Sequence, residues 1–262
     1  MTLFRVGMKI LFDTDLFIYQ VCSTLTYNVA PENYPPLEHF YFLLKNKWEK
    51  YRVELRRKGF NITDETHYIT AKDGSNFRYK VDVDPKYKHN RATQPIPYGY
   101  EECVNYCITT KQAIMIKGME ADDAIGMEAT SDPEGTIRVS EKDLRMIPGW
   151  HYDISNKFPS PLYVTDPGDL IWRRTKTGTG YVIGWGIKWF YFQMLVGDRA
   201  DGVGGVPGIG EKKAYELLYD VYTLADMEDI VYNQYEKLQL DELYHKNRQL
   251  LWICRYKEEI PK

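Results

Sequence analysis

Long apolar runs are missing from this chain of 262 residues. None of its stretches approaches the ~20 residues that a bilayer-spanning helix needs, so no transmembrane helix is expected. Met1 to Gly7 carries Arg5 with no long apolar segment behind it, and a secretory signal is not expected either. Cysteine is scarce. Cys22, Cys103, Cys107 and Cys254 stand at no metal-finger spacing, and the Cys103/Cys107 pair suits one face of a helix. They are read as reduced thiols of a cytoplasmic protein. The five histidines lack partners at zinc-like spacing, and no Ser-His-Asp or Cys-His arrangement suggests covalent catalysis. A basic excess is missing as well: 34 Lys and Arg against 37 Asp and Glu leave a formal charge of −3. A basic surface is the usual footprint of a nucleic-acid binder, so net charge by itself names no partner.

What remains is an ordinary globular balance, 44% hydrophobic and 27% charged, with material for a real core. The length suits one large domain or a domain with a helical extension. Lys9 to Phe12 is a short apolar run ending in Asp13-Thr14-Asp15, read as a buried strand that delivers acids at its C-terminal end. Leu37 to Lys58 places Phe40, Leu43, Leu44, Trp48 and Tyr51 near helical spacing. His67 to Thr70, Ala113 to Ile116 and Thr136 to Val139 are three more candidate strands, with helical patterns between them. Strands alternating with helices imply an α/β fold with a mainly parallel central sheet. Ligand sites in such sheets form outside the carboxyl ends of the strands. From Ile187 onward the pattern is helical, broken by the glycine-rich stretch Gly197 to Gly210. The expected division is an α/β core over 1–185 and a helical region over 186–262, acting as one functional unit.

Acids collect where those strands should end. Glu120 and Asp123 share a helical face with Asp122 beside them, which suits either a cation or the positive end of a helix dipole. Glu141 and Asp143, two apart after the fourth strand, would point the same way if extended and hold one cation together. Ser140-x-x-Asp143 also fits a capping box. Asp198 and Asp201 lie three apart in a glycine-flanked turn, a common composition for turns. Each pair alone has this structural explanation. Together with Asp13 and Asp73 they form one constellation, and clustered carboxylates repel unless hard cations occupy the site. A two-ion magnesium site with metals ~4 Å apart suits phosphodiester hydrolysis. Gly208-Ile209-Gly210, before a helix starting near Glu211, would let backbone N–H groups approach a phosphate, with Lys212 and Lys213 adding charge.

At this point the chain resembles the structure-specific 5′ nucleases, the flap endonucleases and polymerase-associated 5′ nuclease domains, and most closely their bacteriophage branch. Gly118-Met119-Glu120-Ala121-Asp122-Asp123 resembles the signature G-x-E-A-D-D. Leu195 to Gly202 resembles L-x-G-D-x-x-D-N, and Gly205 to Ala214 resembles G-V-x-G-I-G-x-K-x-A. The resemblance implies that Asp13, Asp73, Glu120, Asp122, Asp123, Glu141, Asp143, Asp198 and Asp201 line a site for two magnesium ions, with manganese able to substitute. Asp15 is the alternative to Asp13. Removing these nine carboxylates from the formal charge of −3 leaves +6 on the rest of the chain. Tyr87-Lys88-His89-Asn90-Arg91 is similar to Y-K-x-N-R, which implies a catalytic pair, Lys88 and Arg91, aimed at one phosphate from a helix.

The resemblance further implies a helix-hairpin-helix gripping duplex DNA through Gly208, Gly210, Lys212 and Lys213, with a potassium ion at the hairpin. Glu141 stands where the family has Asp, and Gly202 where Asn is common. The region over about 84–117 corresponds to a helical arch. It is short and poor in basic residues, which favours exonuclease action on duplex ends over threading of a flap. The expected protein is a monomeric, metal-dependent 5′-3′ exonuclease or flap endonuclease of phage DNA replication or recombination, working in a bacterial cytoplasm. Its partner is duplex DNA with a 5′ end or flap, with RNA–DNA hybrid a further substrate. A ribonuclease with a similar acid-rich α/β site and a non-catalytic DNA-end binder are the alternatives.

Overall fold

The computed structural model describes residues 7–81, 87–89, 95–155 and 160–261. Its first strand, β1 (Met8–Asp13), is apolar almost throughout because it lies in the middle of a sheet with strands on both sides. Helix α1 (Thr14–Thr26) follows without a linking residue, so Asp13 is at once the last residue of β1 and the N-cap of α1. Helix α2 (Leu37–Arg57) buries Phe40, Leu44, Trp48, Tyr51 and Leu55, one per turn along a single face. Strand β2 (Ile62–Thr70) comes next, then the single turn α3 (Arg78–Val81), α4 (Tyr100–Lys111) and β3 (Ile114–Ile116). After α5 (Ala121–Ser131) come β4 (Thr136–Ser140), β5 (Gly149–Asp153) and β6 (Leu162–Val164).

The six strands form one sheet in the order β3-β2-β1-β4-β5-β6, parallel except for β6. Alternation along β1 assigns its two faces. Ile10 and Phe12 join a core with α1, α2 and α4, whereas Leu11 joins a second core with α5. That second core continues through residues of the C-terminal half as far as Ile253. The mainly parallel α/β sheet is as expected, and the four expected strands are present. Two further strands, β5 and β6, extend its edge beyond β4. They escaped the sequence reading because they are short and carry polar residues such as His151 and Asp153 among the aromatics.

Beyond the sheet, β7 (Asp169–Arg174) and β8 (Gly180–Trp185) form a separate antiparallel hairpin. Then come α6 (Ile187–Val196), the two-residue strands β9 (Gly197–Asp198) and β10 (Val203–Gly204), and helices α7 (Glu211–Leu218), α8 (Leu224–Glu236) and α9 (Asp241–Leu251). The expected arch over about 84–117 needs revision at its C-terminal end. Tyr100–Lys111 packs as a helix against α1 and α2, and Ile114–Ile116 is part of the central sheet.

Between α6 and α7 the chain makes a close backbone crossing. A Cβ on Gly205 would lie 2.4 Å from the Leu195 carbonyl oxygen and 2.3 Å from the Val196 carbonyl carbon, whereas one on Gly204 meets nothing within 4 Å. Gly205→Ala should therefore cost about 2 kcal/mol or more, because backbone rather than a flexible side chain must move. Gly204→Ala should stay within about 0.5 kcal/mol of the parent. Denaturant melts of the two variants check this pair.

Candidate active site

β1 and β4 are neighbours, yet the chain leaves one toward β2 on one side and the other toward β5 on the other. A crevice opens at such a switch point outside the carboxyl ends of the strands. Here it is a cavity of about 1130 Å3. Asp13 enters it from the end of β1, Glu120 and Asp122 from the N-terminus of α5, and Glu141 and Asp143 from the segment after β4. Asp198 of β9 and Asp201 of the following turn complete the wall. Seven of the nine expected carboxylates thus meet in one place.

They meet at an electrostatic cost. Burial, then the neighbouring charge of Asp15, pushes the Asp13 carboxyl up to about 7, even though the Leu16 N–H and Lys88 pull the other way. Burial, then the charges of Asp13 and Asp143, holds Asp122 well above the usual carboxylate range. Its Oδ1 is buried without a hydrogen-bond partner. Burial also disfavours ionised Glu120, but the ammonium of Lys88 and the guanidinium of Arg78 outweigh it and bring that carboxyl down to about 2. Lys88 bonds Glu120 and lies 3.7 Å from Asp201, while its backbone N–H donates to the Asp201 carbonyl at 2.7 Å. Lys142 bonds Asp198 and lies 3.5 Å from Asp143, and these two acids raise its pKa against the effect of burial.

Among the described residues the ammonium groups of Lys88 and Lys142, with the Arg78 guanidinium beside Glu120, thus supply positive charge in this acid cluster. Among the described residues no three acid, His or Cys side chains converge on one ion-binding point. The donor set nevertheless suits hard cations: oxygen ligands only, two of them, Asp13 and Asp122, destabilised as carboxylates, and one buried oxygen with nothing to accept from.

Two of the nine face elsewhere. Asp123 is fully buried and spends its oxygens on protein: Arg78 Nη1 at 2.6 Å, Arg78 Nη2 at 2.9 Å, the Cys254 N–H at 3.0 Å and the Glu120 N–H at 3.1 Å. Its shared helical face with Glu120 builds a capping box rather than a ligand pair. Asp73 is exposed and outside the cavity, and its pKa is lowered by the Ser75 hydroxyl and then by the Ser75 N–H, from which it accepts at 3.0 Å.

Two local expectations also change. Lys142 and the 3-10 turn Asp143–Met146 are not extended, so Glu141 and Asp143 reach the cavity around a bend, and no Ser140–Asp143 capping box forms. Lys88 has φ +54° and lies outside any regular helix, while Arg91 falls outside the described residues. Asp15 also lines the cavity, but it accepts from the Thr70 N–H at 2.6 Å and from the Tyr100 hydroxyl, which leaves Asp13 the better ligand candidate.

Sequence reasoning passed over Arg78, Lys142 and Gln193, which donates to Asp143 at 2.9 Å. Lys142 was visible as a cation between two acids. Nothing in the sequence marked Arg78 or Gln193. Away from the cavity, Gly208 takes φ +78° and Gly210 caps α7, with Lys212 and Lys213 exposed in its first turn.

No family model matches the chain. An exodeoxyribonuclease of Enterobacteria phage T3 is 26% identical over 193 residues, covering 70% of this chain and 57% of that protein. A 5′-3′ exonuclease of Mycobacterium tuberculosis is 28% identical over 164 residues, covering 54% and 50%. The chain is similar in sequence to phage and bacterial 5′-3′ exonucleases. It spans about half the length of these relatives. Among solved structures, a T5 5′-exonuclease with bound divalent zinc superposes with a TM-score of 0.56 at 16% identity, covering 94% of this chain and 89% of that one. The fold is therefore shared over nearly the whole chain, including the C-terminal helices.

The two adjacent acids of α5 should respond in opposite directions in the metal-free protein. Asp123→Ala leaves the Arg78 guanidinium buried and unpaired, a loss of ~3–5 kcal/mol. Asp122→Asn removes a repelled charge and no hydrogen bond from Oδ1. A carboxyl whose pKa rises on folding opposes folding once ionised, so Asp122→Asn should stabilise at pH 8. That gain should shrink as pH falls through the raised folded-state pKa and be gone near pH 4, where the unfolded carboxyl also binds its proton. Thermal melts between pH 4 and 8 with a chelator present should show Asp122→Asn gaining a few degrees, roughly 1 kcal/mol. Equal destabilisation by both variants would contradict the division.

Proposed function

We propose that this chain is a divalent-cation-dependent 5′ nuclease that hydrolyses phosphodiester bonds at the 5′ ends of duplex DNA. One observation carries the reading: carboxylates from four separate segments gather at the switch point of the sheet, in a fold shared with 5′-exonucleases, where one buried Asp122 oxygen lacks any partner. Magnesium fits such oxygen donors, with manganese able to substitute. When bound, two such cations would supply a more acidic water and charge compensation at the leaving oxygen. Asp13, Glu120, Asp122, Glu141, Asp143, Asp198 and Asp201 are the residues that would hold them, directly or through water.

The chain's own cations have separate work. Lys88, reached by Glu120 and Asp201 at the wall of the cavity, would donate to the scissile phosphate, where negative charge builds. Lys142 neutralises Asp198 and Asp143 and keeps the end of β4 beside β9. Residues 1–185 form most of the catalytic part, completed by Asp198 and Asp201, and the rest of 186–262 the duplex grip, with the backbone at Gly208 and Gly210 approaching a phosphate and Lys212 and Lys213 adding charge. A potassium ion at the hairpin belongs to this reading. Helix α4, packed on the body of the protein, shortens any arch and supports action at duplex ends over threading of a flap.

Incubation of the full chain with 5′-labelled duplex, with and without magnesium, tests the activity; binding without cleavage in magnesium or manganese would sink it. Asp122→Asn and Asp198→Asn are expected to abolish cleavage while duplex binding in calcium stays near that of the parent. For Asp122 the stability gain and the activity loss should coincide, the usual exchange at a strained site.

Lys88→Ala should lower the single-turnover rate by tenfold or more, equivalent to ~1.4 kcal/mol of transition-state stabilisation, with a smaller effect on affinity. A rate within about twofold of the parent would reduce Lys88 to a structural counter-charge.

A further inference from the structure

The β7–β8 hairpin lies outside the acid cavity and has no part in the chemistry proposed above. Its inner end is apolar and packed: Leu170 and Val182 are buried, and Trp172 meets the Tyr215 ring of α7 at 6.0 Å between centroids. Its outer end has a different composition. Arg173, Arg174, Thr175, Lys176, Thr177, Gly178 and Thr179 are all exposed. Among the described residues the side chains of Arg173, Arg174 and Lys176 make no ion pair or hydrogen bond.

The turn between the strands is itself ordered by its own bonds. The Thr175 N–H donates to the Thr179 carbonyl at 2.8 Å, and the Gly178 N–H to the Thr175 carbonyl at 3.0 Å. The Thr175 and Thr177 hydroxyls lie 2.8 Å apart. Gly178, at φ +88°, permits this closure.

The hairpin is also held in register with α7. The free edge of β8 donates the Val182 N–H to the Glu211 carboxylate at 2.9 Å, and Glu211 is the first residue of α7. From Val182 to Gly180 is about 7 Å of strand, so the basic tip projects past that anchor beside the first turn of the helix. Lys212 and Lys213 are exposed there, next to the Gly208–Gly210 turn. Glu211 is engaged by Val182, and Glu216 lies 3.7 Å from Lys212, so neither neutralises the hairpin.

We infer that the tip of the β7–β8 hairpin, through Arg173, Arg174 and Lys176, is a second backbone-binding surface that lengthens the duplex grip of the α7 turn. The inference rests on the nuclease reading above and adds a contact to it. Three cations and three threonine hydroxyls on a preorganised turn suit phosphate oxygens and carry no base-reading geometry, so the contact is sequence-independent. Its partner is the phosphodiester backbone of duplex DNA at a phosphate other than the one under attack.

The experiment measures equilibrium binding of a fluorescent 5′-ended duplex to the full chain across a salt series in calcium. The parent is compared with R173A/R174A/K176A and with R173K/R174K. Loss of three phosphate contacts should flatten the slope of log K against log salt by about 2.7 and raise Kd roughly tenfold or more at ~0.1 M salt. R173K/R174K retains the charge count and should keep the parental slope. Circular dichroism verifies that the alanine variant is folded, and the lysine variant keeps the test decisive if it is not. An alanine variant with the parental slope and Kd would overturn the inference, as would a lysine variant that behaves like the alanine one. Failure of the nuclease reading is a separate result: the parent chain itself would neither cleave nor bind the duplex.

Discussion

Mutual repulsion among carboxylates at the C-terminal edge of the sheet is the constraint on which the other features of this structure depend. Several negative charges within one partly dry cavity cannot all be ionised without compensation. The protein meets this with two lysines that also act as fasteners. Lys88 joins Glu120 at the start of α5 to Asp201 in the turn after β9. Lys142 joins Asp143 after β4 to Asp198 in β9. The same contacts that neutralise the cluster therefore attach the C-terminal helices to the edge of the central sheet. A cation entering the cavity would replace some of this compensation, which links occupancy of the site to the fit between the two halves of the chain.

Behind the cavity a second arrangement fixes where those acids point. Arg78 is fully buried, paired with both oxygens of Asp123, and donates to the carbonyls of Leu250 and Trp252. Asp123 in turn accepts the N–H of Cys254. This network clamps the end of α9 and the segment after it against α5. It also divides the labour of two consecutive acids: with Asp123 held inward, the helical rotation between neighbours turns Asp122 toward the cavity. Among the described residues, Asn76, Gln193 and the Ala200 N–H donate to Glu120, Asp143 and Asp198, and Asp122 Oδ1 is left without a partner.

The likeness in fold to the T5 5′-exonuclease covers sheet and C-terminal helices together. What varies on such a scaffold is the periphery. Helix α4 lies flat against α1 and α2, and a basic two-stranded hairpin is buttressed against α7. Both features bear on how a nucleic acid would approach the cavity, and neither alters the acids within it.

Local pattern alone determined a large part of this protein. The apolar run before Asp13, the one-per-turn buried face of α2 and the alternation of strands with helices were legible because burial imposes its period directly on the sequence. That acids after the first, third and fourth strands would meet followed from parallel strands releasing their ends on one side, whereas the place of Asp198 and Asp201 in the set came from the resemblance to the 5′ nucleases. Tertiary structure decided what each acid does. Asp123 reads in sequence as a ligand beside Asp122, and only the approach of Arg78 from 45 positions away turns it into an internal anchor. Asp73 follows a strand as the others do, but its loop carries it into solvent. The bend at Lys142, the left-handed backbone of Lys88 and the basic hairpin beside α7 were likewise invisible. Each depends on partners far away in the chain, and a charged side chain becomes ligand, counter-charge or surface according to what folding brings within a few ångströms of it.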